Sequence, residues 1–554
     1  MKRKKLIIGL LIAAVVVVVG TRYVKSFIFE NAGLISRIVD PIGENQEVVW
    51  EKGPATAQTT PENRPPNIVL IMADDLGAND ISFAGGGVGD GTVATPNIDS
   101  IGQQGVSFTS GYSGHSTCAP SRASMLTGRY ASRIGFVSTP APAAFGKFIA
   151  EMRKDEPVPP KFMEERLDEV PHTDDQGLPL EEVTIPELLK KSGYHSVMLG
   201  KWHLGDAEGM RPGDQGFDEF LGFTRGSAKY GHDDDPDVVN ARLDFDPIDI
   251  FQWKNLKPNA RTNSGGRFEP RGYMTDYLTE EAVKAIEHNK NRPFFMYLAY
   301  NAPHSPLQAK KADYEALSHI DDHTERVYGA MIRALDRGVG QVLEALKQNG
   351  LEENTLVIFT SDNGGANYLG LPNINKPYRG WKMTLFEGGV NVPFFMKWPT
   401  RIPKGITDEN PVMQLDLFST IAAATGTALP TDRKIDGVDL LPYVTGEAKG
   451  RPHDTLFWDN GGYQAVIAGG WKLHSISQLN KRWLFDMKAD PTEQNNLAES
   501  QPEKLAEMQT ILADFNRTER AKPLWPALME NTVRIDKTLN QSWETGDEYI
   551  IYSN

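Results

Sequence analysis

The sequence of 554 residues contains a single cysteine, Cys118, which excludes an internal disulfide framework. It has no cysteine cluster of the kind that holds a soft metal ion. It also has no excess of positive charge, because 58 Lys and Arg stand against 73 Asp and Glu and give a net charge of −15. A field of that sign repels phosphate backbones, so no nucleic-acid partner is expected. No internal repeat of fixed period is present.

The composition is that of a globular protein, with 40% hydrophobic and 24% charged residues, and the length allows two domains. The N-terminus has the pattern of an export signal: a basic stretch, 2–5, precedes an apolar run, 6–19. As a helix this run spans about 21 Å, short of the roughly 30 Å hydrocarbon core, which favours a cleaved signal peptide. Residues 20–24 could extend it into an uncleaved anchor. We therefore predict use of the export machinery and a secreted or periplasmic location, either free or membrane-anchored.

Apolar runs of strand length alternate with helical stretches from residue 67 onward. The predicted strands are 68–73, 195–199, 294–300 and 356–360, and the predicted helices are 185–192, 275–289 and 324–349. This alternation predicts an α/β fold with a large mixed, mainly parallel sheet covered by helices on both faces. The polar segments 141–177 and 208–272 are predicted to be surface insertions, where specificity usually resides.

The pattern changes after about residue 446. Short strands at 471–474 and 483–486, followed by a helix at 502–520, predict a smaller α+β region. The predicted organisation is a signal peptide or anchor at 1–24, a spacer at 25–63, a main domain at 64–445, and a C-terminal α+β subdomain with a tail at 446–554.

Polar residues follow each of the four predicted strands directly. They are Asp74 and Asp75 after the first, Lys201 and His203 after the second, His304 after the third, and Asp362 and Asn363 after the fourth. Each group alone is typical of a turn, a helix cap or a structural histidine. Because ligands bind at the carboxyl ends of the strands in open α/β sheets, four such ends together predict one site. The oxygen ligands suit Ca²⁺ or Mg²⁺.

The segment around Cys118 adds an anion-binding element. Pro120 suits the first position of a helix and Gly128 its exit, so Cys118 is predicted just before a helix N-terminus, where the dipole favours anions. Arg122 falls in the first turn and can form a bidentate contact with an oxyanion. Together with Lys201, His203 and Lys382, it predicts a cationic pocket for a compact anion.

These motifs resemble the type I sulfatase family, part of the alkaline-phosphatase-like superfamily. The family signature, Cys-x-Pro-Ser-Arg followed by Leu-Thr-Gly-Arg, stands here between Cys118 and Arg129. The resemblance runs from Asn67 to about residue 491. Its other motifs include Lys-Trp-His-Leu-Gly from Lys201, Asp-Asn-Gly-Gly from Asp362 and Glu-Gly-Gly from Glu387.

The resemblance implies a sulfuric ester hydrolase in which a separate maturation enzyme oxidises Cys118 to formylglycine. It implies one Ca²⁺ ion with the following ligands: Asp74, Asp75, Cys118, Asp362 and Asn363. It implies a catalytic set of Cys118, Arg122, Lys201, His203, His304 and Lys382. In that mechanism one hydroxyl of the hydrated aldehyde attacks sulfur, His304 protonates the leaving alkoxide, and His203 assists release of sulfate.

One position departs from the family pattern, because Asn391 stands where many relatives carry a basic residue. Specificity therefore cannot be carried over from those relatives. Export and the long insertions favour a sulfated polysaccharide or oligosaccharide over a simple aryl sulfate as the substrate. Candidate sugar contacts are His115 and the 232–235 cluster, which are equally well explained as solvated loop residues. Two rivals stay open: a phosphate or phosphonate ester hydrolase, and a non-catalytic polyanion-binding protein with unmodified Cys118.

Overall fold

The computed structural model describes residues 41–57, 59–60 and 63–554. The predicted export signal at 1–24 and the first part of the predicted spacer lie outside the described residues. Within the described ranges, no helix is both long and apolar enough to cross a membrane.

The elements are numbered in chain order. The strands are β1 (Asn67–Ala73), β2 (Val106–Phe108), β3 (Gly111–Tyr112), β4 (Lys161–Phe162), β5 (His195–Lys201), β6 (Glu219–Phe223), β7 (Val238–Ala241), β8 (Arg261–Thr262), β9 (Phe294–Ala299), β10 (Leu307–Lys310), β11 (Thr355–Ser361), β12 (Phe394–Lys397), β13 (Ile406–Asp408), β14 (Val412–Met413), β15 (Thr455–Asn460), β16 (Tyr463–Ala468), β17 (Trp471–Ile476), β18 (Lys481–Asp486), β19 (Met529–Arg534) and β20 (Tyr549–Ser553). The helices are α1 (Val88–Gly91), α2 (Pro96–Gln103), α3 (Cys118–Thr127), α4 (Ala131–Ile134), α5 (Ala143–Met152), α6 (Ile185–Lys190), α7 (Pro247–Asn255), α8 (Met274–Asn289), α9 (Lys311–Glu315), α10 (His323–Gln348), α11 (Glu387–Val390), α12 (Asp416–Thr425), α13 (Leu441–Val444) and α14 (Pro502–Thr518).

The main sheet has nine strands in the order β13-β2-β12-β11-β1-β9-β5-β6-β8. Its centre is parallel, since β1 pairs in parallel with β11 and β9, and β5 pairs in parallel with β9 and β6. Antiparallel pairs join β12 to β11 and to β2 on one side and β8 to β6 on the other. The predicted mixed, mainly parallel sheet is confirmed.

Two hydrophobic layers cover the sheet because alternate side chains of a strand point to opposite faces. In β1, Val69 and Ile71 pack into one layer with α8 and α10. Ile68 and Leu70 pack into the other layer with α3, α6 and α12. All residues of β1 are buried, which explains why this strand is an unbroken apolar run in the sequence.

The C-terminal region forms an antiparallel sheet in the order β15-β16-β17-β18, with α14 packed against it. The sequence predicts parts of β17 and β18 and the helix here. The boundary predicted at residue 446 lies between α13 and β15 and stays a prediction. The last two strands, β19 and β20, form a hairpin that pairs with β4 from the insertion at 141–177.

The segment before β1 packs on the main sheet's own helices and loops in its described part. The indole nitrogen of Trp50 donates a 2.8 Å hydrogen bond to Glu281 of α8, and Gly43 bridges to Phe268. Residues 41–53 are therefore held against the body of the protein.

Candidate active site

The four strands β11, β1, β9 and β5 are neighbours in the sheet, and their carboxyl ends lie side by side. Asp74 and Asp75 follow β1, His304 follows β9, and Asp362 follows β11. Lys201 is the last residue of β5, and His203 comes two residues later. The structure thus brings together the polar groups that the sequence places after four separate strands.

Helix α3 begins at Cys118, directly beside these strand ends. The Cys118 sulfur lies 3.6 Å from Asp74 Oδ1, 3.7 Å from Asp75 Oδ1 and 3.3 Å from Lys382 Nζ. Gly128 ends the helix in the left-handed conformation, which glycine adopts without a steric cost. The helix begins at Cys118, two residues before the predicted first position, Pro120, and so has Cys118 as its first residue.

Each buried carboxylate of the site is paired with a cation. The Lys201 ammonium donates to both oxygens of Asp74, at 2.9 and 2.6 Å. Lys382 donates to both oxygens of Asp75, at 2.7 and 2.8 Å. Arg122 donates from Nε to Asp362 Oδ2 at 2.9 Å. All these charged groups are buried, so each would be costly without its partner.

The electrostatics of the three carboxylates differ. Burial, with a further contribution from the neighbouring carboxylate of Asp362, raises the pKa of Asp74 well above its usual range. Burial acts in the same direction on Asp75, but Lys382 and His304 outweigh it and lower the pKa. For Asp362, Arg122 likewise outweighs burial and lowers the pKa.

The Cys118 thiol is in a poor environment for a thiolate. Burial, and then the carboxylate of Asp362, raise its pKa. Because the thiolate is the nucleophilic form of cysteine, the unmodified side chain is a weak nucleophile here.

The two histidines have fixed and different surroundings. His304 Nδ1 lies 2.5 Å from the carbonyl oxygen of Ser305, so Nδ1 carries the proton and donates it. Its Nε2 then lies 3.3 Å from Lys382 Nζ. His203 is buried, its Nδ1 has no hydrogen-bond partner among the described residues, and Gly226 leaves room for its ring. Burial lowers the pKa of both histidines, most strongly for His203, where Lys201 adds to the effect.

The structure could hold a metal ion at this place. Asp74, Asp75, Cys118 and His304 each offer a ligand atom, and these atoms lie within 4.8 Å of one another. Asn363 adds a buried side-chain oxygen for which the described part of the chain offers no hydrogen-bond partner, while its amide nitrogen donates to Asp75 Oδ1 at 2.7 Å. A side-chain carbonyl oxygen together with several carboxylates is a typical ligand set for a hard cation.

The site opens into a cavity of about 400 Å³. Its base is formed by Cys118, His203, His304 and Lys382. Its walls come from the two predicted insertions and from the C-terminal hairpin, and include Pro142, Phe145, Phe251, Leu256, Asn531 and Tyr552. Phe145 and Phe251 meet edge to face at 5.1 Å and give the cavity an aromatic side.

Several residues of the site are not evident from the sequence. The Tyr368 hydroxyl donates to Asp75 Oδ2 at 3.2 Å, and Tyr297 accepts a 3.3 Å hydrogen bond from Arg122. Tyr552 donates to Thr117 Oγ1, next to Cys118. Tyr368 follows the Asp-Asn-Gly-Gly motif closely, a position that could have marked it, whereas Tyr552 carries no such signal.

Two candidate sugar contacts lie elsewhere. His115 is buried, with Nε2 3.2 Å from the Asp459 carbonyl oxygen, and burial lowers its pKa to about 4. His232 lies 2.5 Å from Glu269. Within the described residues, neither His115 nor the 232–235 cluster lines the cavity, so a substrate contact for them is not supported.

Comparisons with known proteins agree with this geometry. The Sulfatase family model matches residues 66–427, and the model named N-sulphoglucosamine sulphohydrolase, C-terminal, matches residues 379–519. N-acetylgalactosamine-6-sulfatase of Mus musculus is 34% identical over 436 residues, which cover 77% of this chain and 75% of that protein. Steryl-sulfatase of Rattus norvegicus is 31% identical over 489 residues, which cover 78% of each chain. The crystal structure of Ps i-CgsB in complex with k-i-k-neocarrahexaose is 32% identical, has a TM-score of 0.68, and covers 83% of this chain and 95% of that chain.

Proposed function

Because the chain belongs to the sulfatase family and is a sulfuric ester hydrolase, we propose that it removes sulfate from a sulfated polysaccharide or oligosaccharide, with a formylglycine made from Cys118 and one bound Ca²⁺. The observation that carries this proposal is the place of Cys118. It stands at the N-terminus of α3, within 3.7 Å of two carboxylates and a lysine, at the base of a cavity.

The proposed Ca²⁺ ligands are Asp74, Asp75, Asp362, Asn363 and residue 118. The unpartnered oxygen of Asn363 and the buried carboxylates support this assignment, since Ca²⁺ prefers several oxygen ligands. A bound Ca²⁺ would stabilise negative charge on the sulfate oxygens.

The proposed modification of Cys118 is supported by the weak nucleophilicity of the buried thiol. A hydrated formylglycine would give residue 118 two hydroxyls on one carbon, one to attack sulfur and one to release the sulfate. The chain therefore needs a separate maturation enzyme as a partner.

Three cations of the chain, Arg122, Lys201 and Lys382, are proposed to bind and orient the sulfate. They already surround residue 118 in fixed positions, because their carboxylate partners hold them there. Preorganised cations of this kind stabilise charge that develops in a transition state.

His304 is proposed to protonate the leaving alkoxide from Nε2, since its Nδ1 is held by Ser305. Burial lowers the pKa of His304, but the carboxylates of Asp75 and Asp74 act in the opposite direction and favour the protonated ring that a general acid needs. His203 is proposed to accept the proton from the second hydroxyl of residue 118. Its unpartnered ring nitrogen and the lowered pKa that favours its neutral form support a role as base.

The glycan assignment is supported by the cavity walls. Aromatic side chains such as Phe145 and Phe251 pack well against the apolar faces of sugar rings, and Asn531 and Tyr552 offer polar contacts. The relative solved with a neocarrahexaose supports an oligosaccharide of that general kind. The same proposal includes an extracytoplasmic location, based on the predicted export signal at 1–24. It also includes a catalytic domain at 64–445.

The test is a desulfation screen of matured protein on defined sulfated oligosaccharides, with matched aryl sulfates and aryl phosphates and with Cys118→Ala as the inactive control. Sulfate release from one or more glycans, absent from the control, is expected. Turnover of aryl sulfates without release from any glycan would overturn the substrate class. Faster turnover of the phosphate esters would favour the phosphatase alternative.

A further inference from the structure

The wall of the cavity formed by the 208–272 insertion contains a cation, Lys257, that has no counter-ion among the described residues. Lys257 follows helix α7, is partly buried, and lines the cavity. Among the residues that the structure describes, no carboxylate lies within 4.0 Å of its ammonium group. We propose that Lys257 binds a second anionic group of the substrate, a sulfate or a carboxylate on the sugar next to the one that loses its sulfate. This rests on the proposed function above.

The carboxylates that line the same cavity are already neutralised. Asp174 lies 3.1 Å from Arg225, and Asp206 lies 2.9 Å from Arg261. Neither carboxylate has Lys257 as a partner, so the charge of Lys257 is not used within the described part of the protein. A substrate anion would supply the missing partner.

Two other cations near Lys257 already have a carboxylate partner. Lys229 and Arg242 both pack on the ring of Trp253, four residues before Lys257, and Asp233 lies 2.6 Å from Lys229 and 3.6 Å from Arg242. Lys229 is near enough that Lys257 contributes, after burial, to the lowering of its pKa. Phe251 and Leu256 line the cavity together with Lys257, and apolar walls strengthen the interaction of a cation with a bound anion.

The overall charge makes such a site useful. With a net charge of −15, the protein repels a polyanionic glycan at long range. A substrate with several anionic groups therefore needs local cations in addition to those around Cys118, and the position of Lys257 on the cavity wall meets that need for one neighbouring group.

The experiment compares Lys257→Gln with Lys254→Gln, an exposed lysine on α7 that does not line the cavity. The substrates are three oligosaccharides with the same backbone. The first carries only the scissile sulfate, the second also carries a sulfate on the neighbouring sugar, and the third carries a uronate carboxylate there instead. We expect Lys257→Gln to lower kcat/KM on a doubly anionic substrate by about tenfold, chiefly through KM, and by less than about twofold on the singly sulfated one. Lys254→Gln and Lys257→Arg should keep the wild-type ratio. The two doubly anionic substrates show whether sulfate or carboxylate is preferred.

Activity on the singly sulfated substrate reports that each variant is folded. Equal losses on all substrates, or no loss on either doubly anionic one, would overturn the proposal. If the wild type desulfates no glycan, the proposed function fails and this inference fails with it. A wild type that desulfates glycans, with no selective loss in Lys257→Gln, overturns this inference alone.

Discussion

Lys472 of β17 donates a 2.7 Å hydrogen bond to the carboxylate of Glu387, and both side chains are buried. The same ammonium lies 3.1 Å from Glu493, which also accepts a hydrogen bond from the backbone nitrogen of Glu387. Glu387 begins α11, five residues after Lys382. A buried ionic cluster therefore ties the C-terminal sheet to the segment that contributes Lys382 to the active site.

Removal of Lys472 should destabilise the protein strongly. Lys472→Met leaves Glu387 and Glu493 buried without a cation, which should cost about 3–5 kcal/mol of unfolding free energy. Lys504→Met, which breaks a surface pair with Glu507, should cost less than about 1 kcal/mol. Urea unfolding of the two variants measures the difference. Similar small losses in both would mean that the buried cluster contributes little.

The modification of Cys118 can be measured directly. Protein made with a maturation enzyme should carry an aldehyde on the tryptic peptide that contains residue 118, detected by mass spectrometry. Protein made without that enzyme should keep the thiol and lose most activity, because burial raises the pKa of this cysteine and disfavours the thiolate. Full activity from protein with an intact thiol would rule out formylglycine.

The metal assignment predicts coupled losses. Asp362→Asn removes a charged oxygen ligand and should lower both calcium content and sulfatase activity by at least about tenfold. Asp408→Asn, on the edge strand β13, should change neither. Elemental analysis by plasma mass spectrometry gives the metal content. Stoichiometric zinc without calcium in active wild-type protein would contradict the assignment.

The parallel centre of the fold was predictable because buried strands are near-continuous apolar runs. The strand predicted at 195–199 is β5 (His195–Lys201), and the helix predicted at 324–349 is α10 (His323–Gln348). The edges of the sheet were not predictable, since β2 and β13 have three residues each and β8 has two. Strands that short carry almost no periodicity, and their pairing depends on tertiary contacts.

Most chemical groups of the site were predictable because they follow a strand or lie in the first turns of a helix; Lys382, in the loop before α11, has no such signal. The cavity walls were not predictable. The hairpin that contributes Asn531 and Tyr552 comes after residue 519, where the matched C-terminal family model ends, and it reaches the cavity by pairing with β4. Contacts between segments almost 370 residues apart leave no local pattern in a single sequence.

The role of His304 predicts a dependence on the leaving group. His304→Ala should slow the hydrolysis of sugar sulfates by about 100-fold, because an alkoxide leaving group needs protonation, and should affect an activated aryl sulfate much less. His232→Ala, a change outside the cavity, should leave both rates unchanged. Steady-state kinetics on the two substrate types provides the ratio. Equal losses on both would exclude His304 as the general acid.

Stability should depend on pH through His453, whose Nε2 lies 2.7 Å from Asp416 Oδ1. Burial disfavours the protonated ring, but the Asp416 carboxylate outweighs burial and raises the pKa of His453 above its usual value of about 6.5. A raised pKa in the folded state means that the pair stabilises the protein fully below about pH 6.5, and that this contribution is lost as pH rises through the folded-state pKa.

The comparison of wild type with His453→Gln tests this. The wild type should melt higher, by roughly 1–2 °C or more at pH 6, and the difference should shrink steadily towards pH 9. Thermal melts at half-unit pH steps give both curves. A gap between wild type and His453→Gln that widens with pH would mean that the neutral ring, and not the ion pair with Asp416, is the stabilising form.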